Sequence, residues 1–159
     1  MILPADRFRA LTKVLPILCV DVIVLDGRGR ILLIKRLREP MKGRWWVIGG
    51  RVDKGEMLRK AARRKVLEET GVEVEILGPV GYYESLREKT DQGNGFRRHS
   101  VSVVFLAKIK SAPRVELDGQ SASWKMSKTL PREFRIVPFA AASGNRRESP
   151  SRRKPCPKP

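Results

Sequence analysis

Residues Gly49 to Val72 read GGRVDKGEMLRKAARRKVLEETGV, and the organisation of the chain can be worked out from there. Leu58, Ala62 and Val66 recur four apart, so the spacing predicts a helix over Glu56–Thr70 that Gly71 stops. Gly49-Gly50 ends the preceding strand, and a loop with Asp53 and Gly55 leads to Glu56 at the expected helix start. Lys65, Glu68 and Glu69 lie three and four apart and share one helix face, and Arg64 and Glu68 are spaced to pair. Two carboxylates on one face, beside a backbone carbonyl from a glycine loop, suit a hard cation. Mg²⁺ commonly takes one or two carboxylates and completes its shell with water and substrate phosphates. A solvated helix face would account for Glu68 and Glu69 alone. It would not account for the Gly-Gly pair, Glu56, Arg64 and the Gly71 stop as well.

Strand signals flank this segment on both sides. Ile17–Leu25 is rich in Ile and Val and reads as a buried strand preceded by a first helix. Asp26-Gly27-Arg28-Gly29 is a turn signal, and with the apolar run Ile31–Lys35 it predicts a hairpin. Trp45–Ile48 reads as a short strand, and Val72–Leu77, Val80–Ser85, His99–Ile109 and Ala122–Met126 as further strands. Arg87–Arg98 is polar with two glycines and is expected to be a loop. Strands alternating with a central helix place the chain in the α/β or α+β class with a mixed sheet.

The chain has 159 residues, 41% of them hydrophobic, which is enough for one domain and its core. Two cysteines cannot make a disulfide scaffold, so a reducing, cytoplasmic setting is expected. The longest apolar stretch, Val14–Leu25, contains Pro16 and Asp21 and falls short of the roughly 20 residues a spanning helix needs, so no membrane partner is expected. Lys and Arg number 34 against 17 Asp and Glu, a formal net charge of +17, which attracts phosphates, nucleotides and nucleic acids. Composition changes near Ala142. Residues 142–159 lack Leu, Ile, Val and aromatic side chains and carry six Lys/Arg against one Glu. We therefore read 1–141 as the folded domain and 142–159 as a basic disordered tail, a solvated extension or a weak nucleic-acid-binding arm.

The central segment resembles the Nudix box, through Gly50, Glu56, Arg64, Val66, Glu68, Glu69, Gly71 and Val72. That resemblance implies an α/β/α sandwich around a mixed β-sheet and a Mg²⁺-dependent hydrolase, with Mn²⁺ as the alternative ion, acting on nucleoside diphosphate derivatives. It implies Glu69 as the main metal ligand, with Glu68 and the Gly49 carbonyl beside it, and Glu68 and Arg64 in the catalytic group. A homodimer is the assembly to test for. The chain departs from the pattern at Lys65, where many members carry a glutamate that supplies a metal ligand or the base. Lysine cannot bind Mg²⁺ and repels it at close range.

The body is also similar to a branch of the family, the GDP-mannose mannosyl hydrolases, which lacks that same glutamate. Asp21, Gly29, Lys35-Arg36, Pro40, Gly43, Trp45 and Gly49-Gly50-Arg51-Val52 carry this likeness, with His99 and Gln120 further on. It implies Gln120 as a metal ligand, Asp21, Arg36 and Arg51 as substrate-binding residues, and attack at the sugar carbon. Ser121 stands where that branch has a His base, Ser100 where it has a Tyr, and Glu68 is present where the branch has lost it. Pyrophosphohydrolysis at phosphorus and non-catalytic nucleotide or RNA binding remain the alternatives.

Among the cations near the glycine loop, Arg36 and Arg51 are assigned to a phosphate clamp, and Arg38, Lys42, Arg44 and Lys54 to the solvated surface. His99, the single histidine, is a candidate general base that could equally be structural. Trp45, Trp46, Tyr82 and Tyr83 are candidates to stack on a base. Neighbours in a strand face opposite ways, so at most one of each pair can line a pocket, and core packing is the expectation for each.

Overall fold

Val20, Val22 and Val24 alternate with Asp21, Ile23 and Leu25 along β1 (Ile17–Leu25), and both rows are largely buried. A strand covered on both faces is one in the middle of a layered fold. The computed structural model describes residues 4–38, 41–87, 98–110, 115–117 and 121–139. Around β1 they form α1 (Ala5–Val14), β2 (Ile31–Arg36), β3 (Trp45–Trp46), β4 (Ile48–Arg51), α2 (Leu58–Thr70), β5 (Val74–Arg87), β6 (Arg98–Ile109), β7 (Ser121–Ser127) and β8 (Val137–Pro138). The strands make one mixed sheet in the order β3-β2-β1-β6-β5-β8, with β4 paired to β1 and β7 to β2. β1 and β6 run parallel, in register from Ile17–Ser100 to Leu25–Lys108, and the other pairings are antiparallel. The class is α/β, as expected.

Several boundaries differ from those predicted. The β1–β2 hairpin pairs only at its tip, Leu25 with Ile31. Asp26 closes the turn, accepting from the Arg28 and Arg30 backbone N–H groups at 2.9 and 2.8 Å. Below the tip the strands part, because β4 takes the edge of β1 from Cys19 to Val22 while β2 pairs with β3 and β7. The run Trp45–Ile48 accordingly splits between two partners. The two strands expected over 72–85 are one, β5, bent by register shifts at Ile76/Gly78 and Pro79/Gly81. Arg87 and Arg98 are the paired ends of β5 and β6, and the rest of the expected loop, 88–97, lies outside the described residues. So does the basic segment from Ala142 onward.

Helix α2 begins at Leu58, not Glu56, with Met57 at its N-cap and no side-chain cap. Glu56 is engaged elsewhere, as the partner of Arg64 described below. The helix ends as predicted, with Gly71 left-handed at φ 66° and its N–H donating to the Leu67 carbonyl at 2.8 Å. Ala61, Ala62 and Val66 pack against Val20, Val22, Val24, Leu32, Ile34 and Ile48. Fully burying one such Val or Leu side chain is worth about 1.5–3 kcal/mol, so this layer fixes where α2 sits on the sheet.

The opposite face carries Ile23, Leu33, Trp46, Val47 and Val104 under Phe134, with Leu130 and Ile136 beside it. Among the described residues this second layer of the expected sandwich is formed by the irregular 128–136 segment. Helix α1 contacts β6, and its Phe8 ring lies under the Arg51 guanidinium at 4.5 Å.

Candidate active site

Arg64 organises the loop before α2. Its Nε and Nη2 donate to the two Glu56 carboxylate oxygens at 2.7 and 2.6 Å, and Nη2 also donates to the Arg51 carbonyl at 3.3 Å. Its Nη1 reaches Glu68 at 3.2 Å, and Asp53 lies 3.5 Å from Nη2. The Arg64 hydrogen bonds hold the Glu56 carboxyl down at about 2, against a smaller opposing effect of burial. With so many acceptors around it, Arg64 ties the glycine loop to the helix.

β4 and α2 border a cleft of about 290 Å³ that residues of β1, β2, β3, β5, β6 and β7 also line. Three in-register strands supply its sheet wall: Cys19 pairs with Ser102, and Ser102 with Tyr83. Ser100, paired with Ser85, continues the wall. Trp46 and Tyr83 line the cleft and are also core, in edge-on contact at 5.8 Å, with Phe134 5.2 Å from each. Trp45 and Tyr82 point elsewhere, to Lys125 and Phe139.

Asp21 lies in the cleft and is only 8% exposed. Burial pushes its carboxyl up to about 6, although a hydrogen bond with Ser102 and the Arg36 charge pull it partly back. The carboxyl rests on the bare α-carbon of Gly49, where a β-carbon would collide with Asp21 Oδ1 and with the Val20 carbonyl. Glycine is required there for close approach of chain and carboxylate.

Of the residues singled out in the sequence, Asp21, Arg36, Gly49, Arg51 and Glu69 line this one cleft. Arg38, assigned to the surface, lines it too, and so do Lys65 and Ser121. Arg64 and Glu68 stand outside the lining, engaged with each other. Lys65 Nζ also donates to Glu68 Oε2 at 2.9 Å. Burial opposes ionisation of Glu68, but the hydrogen bonds and charges of Lys65 and Arg64 outweigh it and hold the carboxyl below its ordinary range. His99 is not brought to the cleft. It alternates with the cleft-facing Ser100 along β6 and pairs with Glu84 at 2.9 Å, so the position assigned to a base serves a cross-strand contact. Gln120 and Pro40 lie outside the described residues. Cys19, Ser85 and Ser102 were not singled out beforehand. Period-two alternation from Asp21 flags Cys19, but the serines become visible only through register.

Among the described residues no three His, Cys, Asp or Glu side chains converge as a metal site. The donors present still suit a single hard cation: Glu69 and the Gly49 backbone line the same cleft, and Mg²⁺ takes its remaining ligands from water and phosphate. A second ion on Glu68 would have to displace the Lys65 ammonium.

This is an α/β domain with a cleft beside its central helix, and the family model for the NUDIX domain matches residues 15–152. The chain belongs to the Nudix family. It is 32% identical over 124 residues to the low-salt glycan biosynthesis protein Agl8 of Haloferax volcanii, covering 78% of each chain. It is 34% identical over 94 residues to an ADP-ribose pyrophosphatase of Methanocaldococcus jannaschii, covering 59% of this chain and about half, 52%, of that one. Among solved structures it resembles a MutT NUDIX hydrolase from Burkholderia pseudomallei, with TM-score 0.56, 28% identity and coverage of 76% and 93%. The fold is also shared with a MutT protein from Methanosarcina mazei, with TM-score 0.61, 22% identity and coverage of 73% and 86%. No helix among the described residues is long and apolar enough to cross a membrane.

Proposed function

We propose that the chain is a Mg²⁺-dependent hydrolase of a nucleoside diphosphate derivative, and that a nucleotide sugar is its substrate. The observation that carries this reading is the meeting of Asp21, Arg36, Arg51, Gly49 and Glu69 in one cleft. The cleft lining holds Arg36, Arg38, Arg51 and Lys65 against Asp21 and Glu69, an excess of positive charge that suits a diphosphate. Arg36 and Arg51 would hold phosphate oxygens, for which the guanidinium fork is built. The Asp21 carboxyl would hydrogen-bond a hydroxyl or ring N–H of the substrate. Trp46 and Tyr83 offer an aromatic wall on which a ring can rest. Glu69 and the Gly49 carbonyl would hold Mg²⁺, whose part is to polarise the bond to be cleaved. The glycan-biosynthesis name of the Haloferax relative supports a sugar-linked substrate.

A second reading, cleavage at phosphorus, is favoured by the ADP-ribose pyrophosphatase relative. A panel of nucleotide sugars and dinucleotides incubated with Mg²⁺, with products resolved by mass, tests both. Free sugar with a nucleoside diphosphate supports attack at carbon. Sugar phosphate with a nucleoside monophosphate overturns it in favour of phosphorus. Absence of turnover on the whole panel would overturn the hydrolase reading.

A further inference from the structure

We propose that Lys65 is a phosphate-binding residue, a built-in cation that lets the cleft hold a diphosphate group without a divalent metal. The proposal rests on the reading that the cleft takes a diphosphate. It goes beyond that reading by reversing the expected role of one position in the helix.

Lys65 lines the cleft, and its side chain is 21% exposed. Its stem crosses the backbone at Gly50: the Cδ and Cε atoms lie 3.0 Å from where a β-carbon on that glycine would stand. A β-carbon at position 50 would press on this stem, which would have to give by a few tenths of an ångström. The ammonium is steadied by Glu68 at 2.9 Å, which takes one of its three donors. Glu68 does not cancel the lysine's charge alone, because Arg64 also binds that carboxylate at 3.2 Å. Glu68 therefore acts as a bracket between two cations.

Where the Nudix box has a carboxylate, this chain has an ammonium, a change of two charge units at one point in the cleft. Coulomb attraction to a metal ion becomes repulsion, and repulsion of a phosphate becomes attraction. With Arg36 and Arg51 on the same cleft, the polyanion meets cations that are part of the chain. Lysine suits this role as a compact point charge.

The test uses the full chain at about 0.15 M salt, where charges more than about 8 Å apart in solvent are largely screened. Inorganic pyrophosphate is titrated calorimetrically in EDTA into the parent, Lys65→Met, Lys65→Arg and Lys65→Glu. Mn²⁺ is titrated separately, followed by electron paramagnetic resonance, and thermal midpoints confirm that each variant is folded. The parent should bind pyrophosphate in EDTA. Lys65→Met should weaken that binding tenfold or more, and Lys65→Arg should retain it within a few-fold. Lys65→Glu should abolish it while tightening Mn²⁺ binding. Equal affinity in the parent and Lys65→Met, or no binding by the parent without metal, overturns the proposal. If Lys65→Met does not fold, Lys65→Arg and Lys65→Glu decide, and equal affinities between them overturn it. Lys65-dependent binding without turnover on the substrate panel would leave the anion site standing and remove the hydrolase reading. Turnover with Lys65-independent binding would do the reverse.

Discussion

The carboxyl of Asp21 and the α-carbon of Gly49 pack so closely that only a hydrogen fits between them, and the two residues are register partners on β1 and β4. The neighbouring glycine is different in kind. At Gly50 the atoms in the way belong to the Lys65 side chain, which can move.

The two glycines should therefore respond differently to a methyl group. Gly49→Ala must push backbone and a buried carboxylate and should cost about 1–3 kcal/mol in urea unfolding. Gly50→Ala meets only the flexible Lys65 stem, which must give by a few tenths of an ångström, so it should cost less stability than Gly49→Ala while weakening pyrophosphate binding. Equal stability losses at both positions would contradict this assignment.

Glu69→Gln tests the metal. The change is nearly isosteric on a partly exposed helix side chain, so the thermal midpoint should hold. Mg²⁺-dependent hydrolysis of the best panel substrate should fall at least tenfold, about 1.4 kcal/mol of barrier. An unchanged rate would remove Glu69 from the metal site.

Asp21 makes stability depend on pH. Its folded carboxyl sits at about 6 against 3.8 for the ordinary group, so the folded state holds the proton more tightly. The associated stability is fully present below about pH 4 and is lost as pH rises to about 6, by about 3 kcal/mol in all. Asp21→Asn has no such loss, so its stability relative to the parent should climb across that window and then level off. Denaturation series at pH 4, 5, 6 and 7 measure it, and a flat difference would refute the shift.

Glu56 acts with the opposite sign. Its folded carboxyl is held at about 2 against 4.5, so its contribution is present above pH 4.5 and lost as pH falls toward 2. Glu56→Gln should lower stability at neutral pH by about 1.5–3 kcal/mol, the range for a hydrogen bond to a charged group. The gap to the parent should close in acid. A gap that persists to pH 2 would show that the Arg64 pairing is not its source.

The basic C-terminal segment has its own test. A chain ending at Ala142 should keep the parent's thermal midpoint and bind RNA more weakly, with a shallower salt dependence, because fewer cations displace counterions. A large fall in midpoint would show that 143–159 belongs to the folded domain, into which the family match to residue 152 extends.

Local chemistry is what the sequence alone determined. The spacing of Leu58, Ala62 and Val66 and the left-handed demand met by Gly71 are properties of one helix, and they placed its body and its end correctly. The Ile- and Val-rich run over 17–25 placed β1 to the residue, because burial on both faces leaves a nearly continuous apolar run. What required the tertiary structure was every relation set by pairing between distant strands. Register alone turns Ser100 and Ser102 toward the cleft and His99 away from it, since one residue's shift in a strand exchanges its faces. The same holds for Lys65. Its sequence neighbours show a charge out of place, but only the approach of α2 to the glycines of β4 brings that charge into the cleft with Asp21 and Arg36.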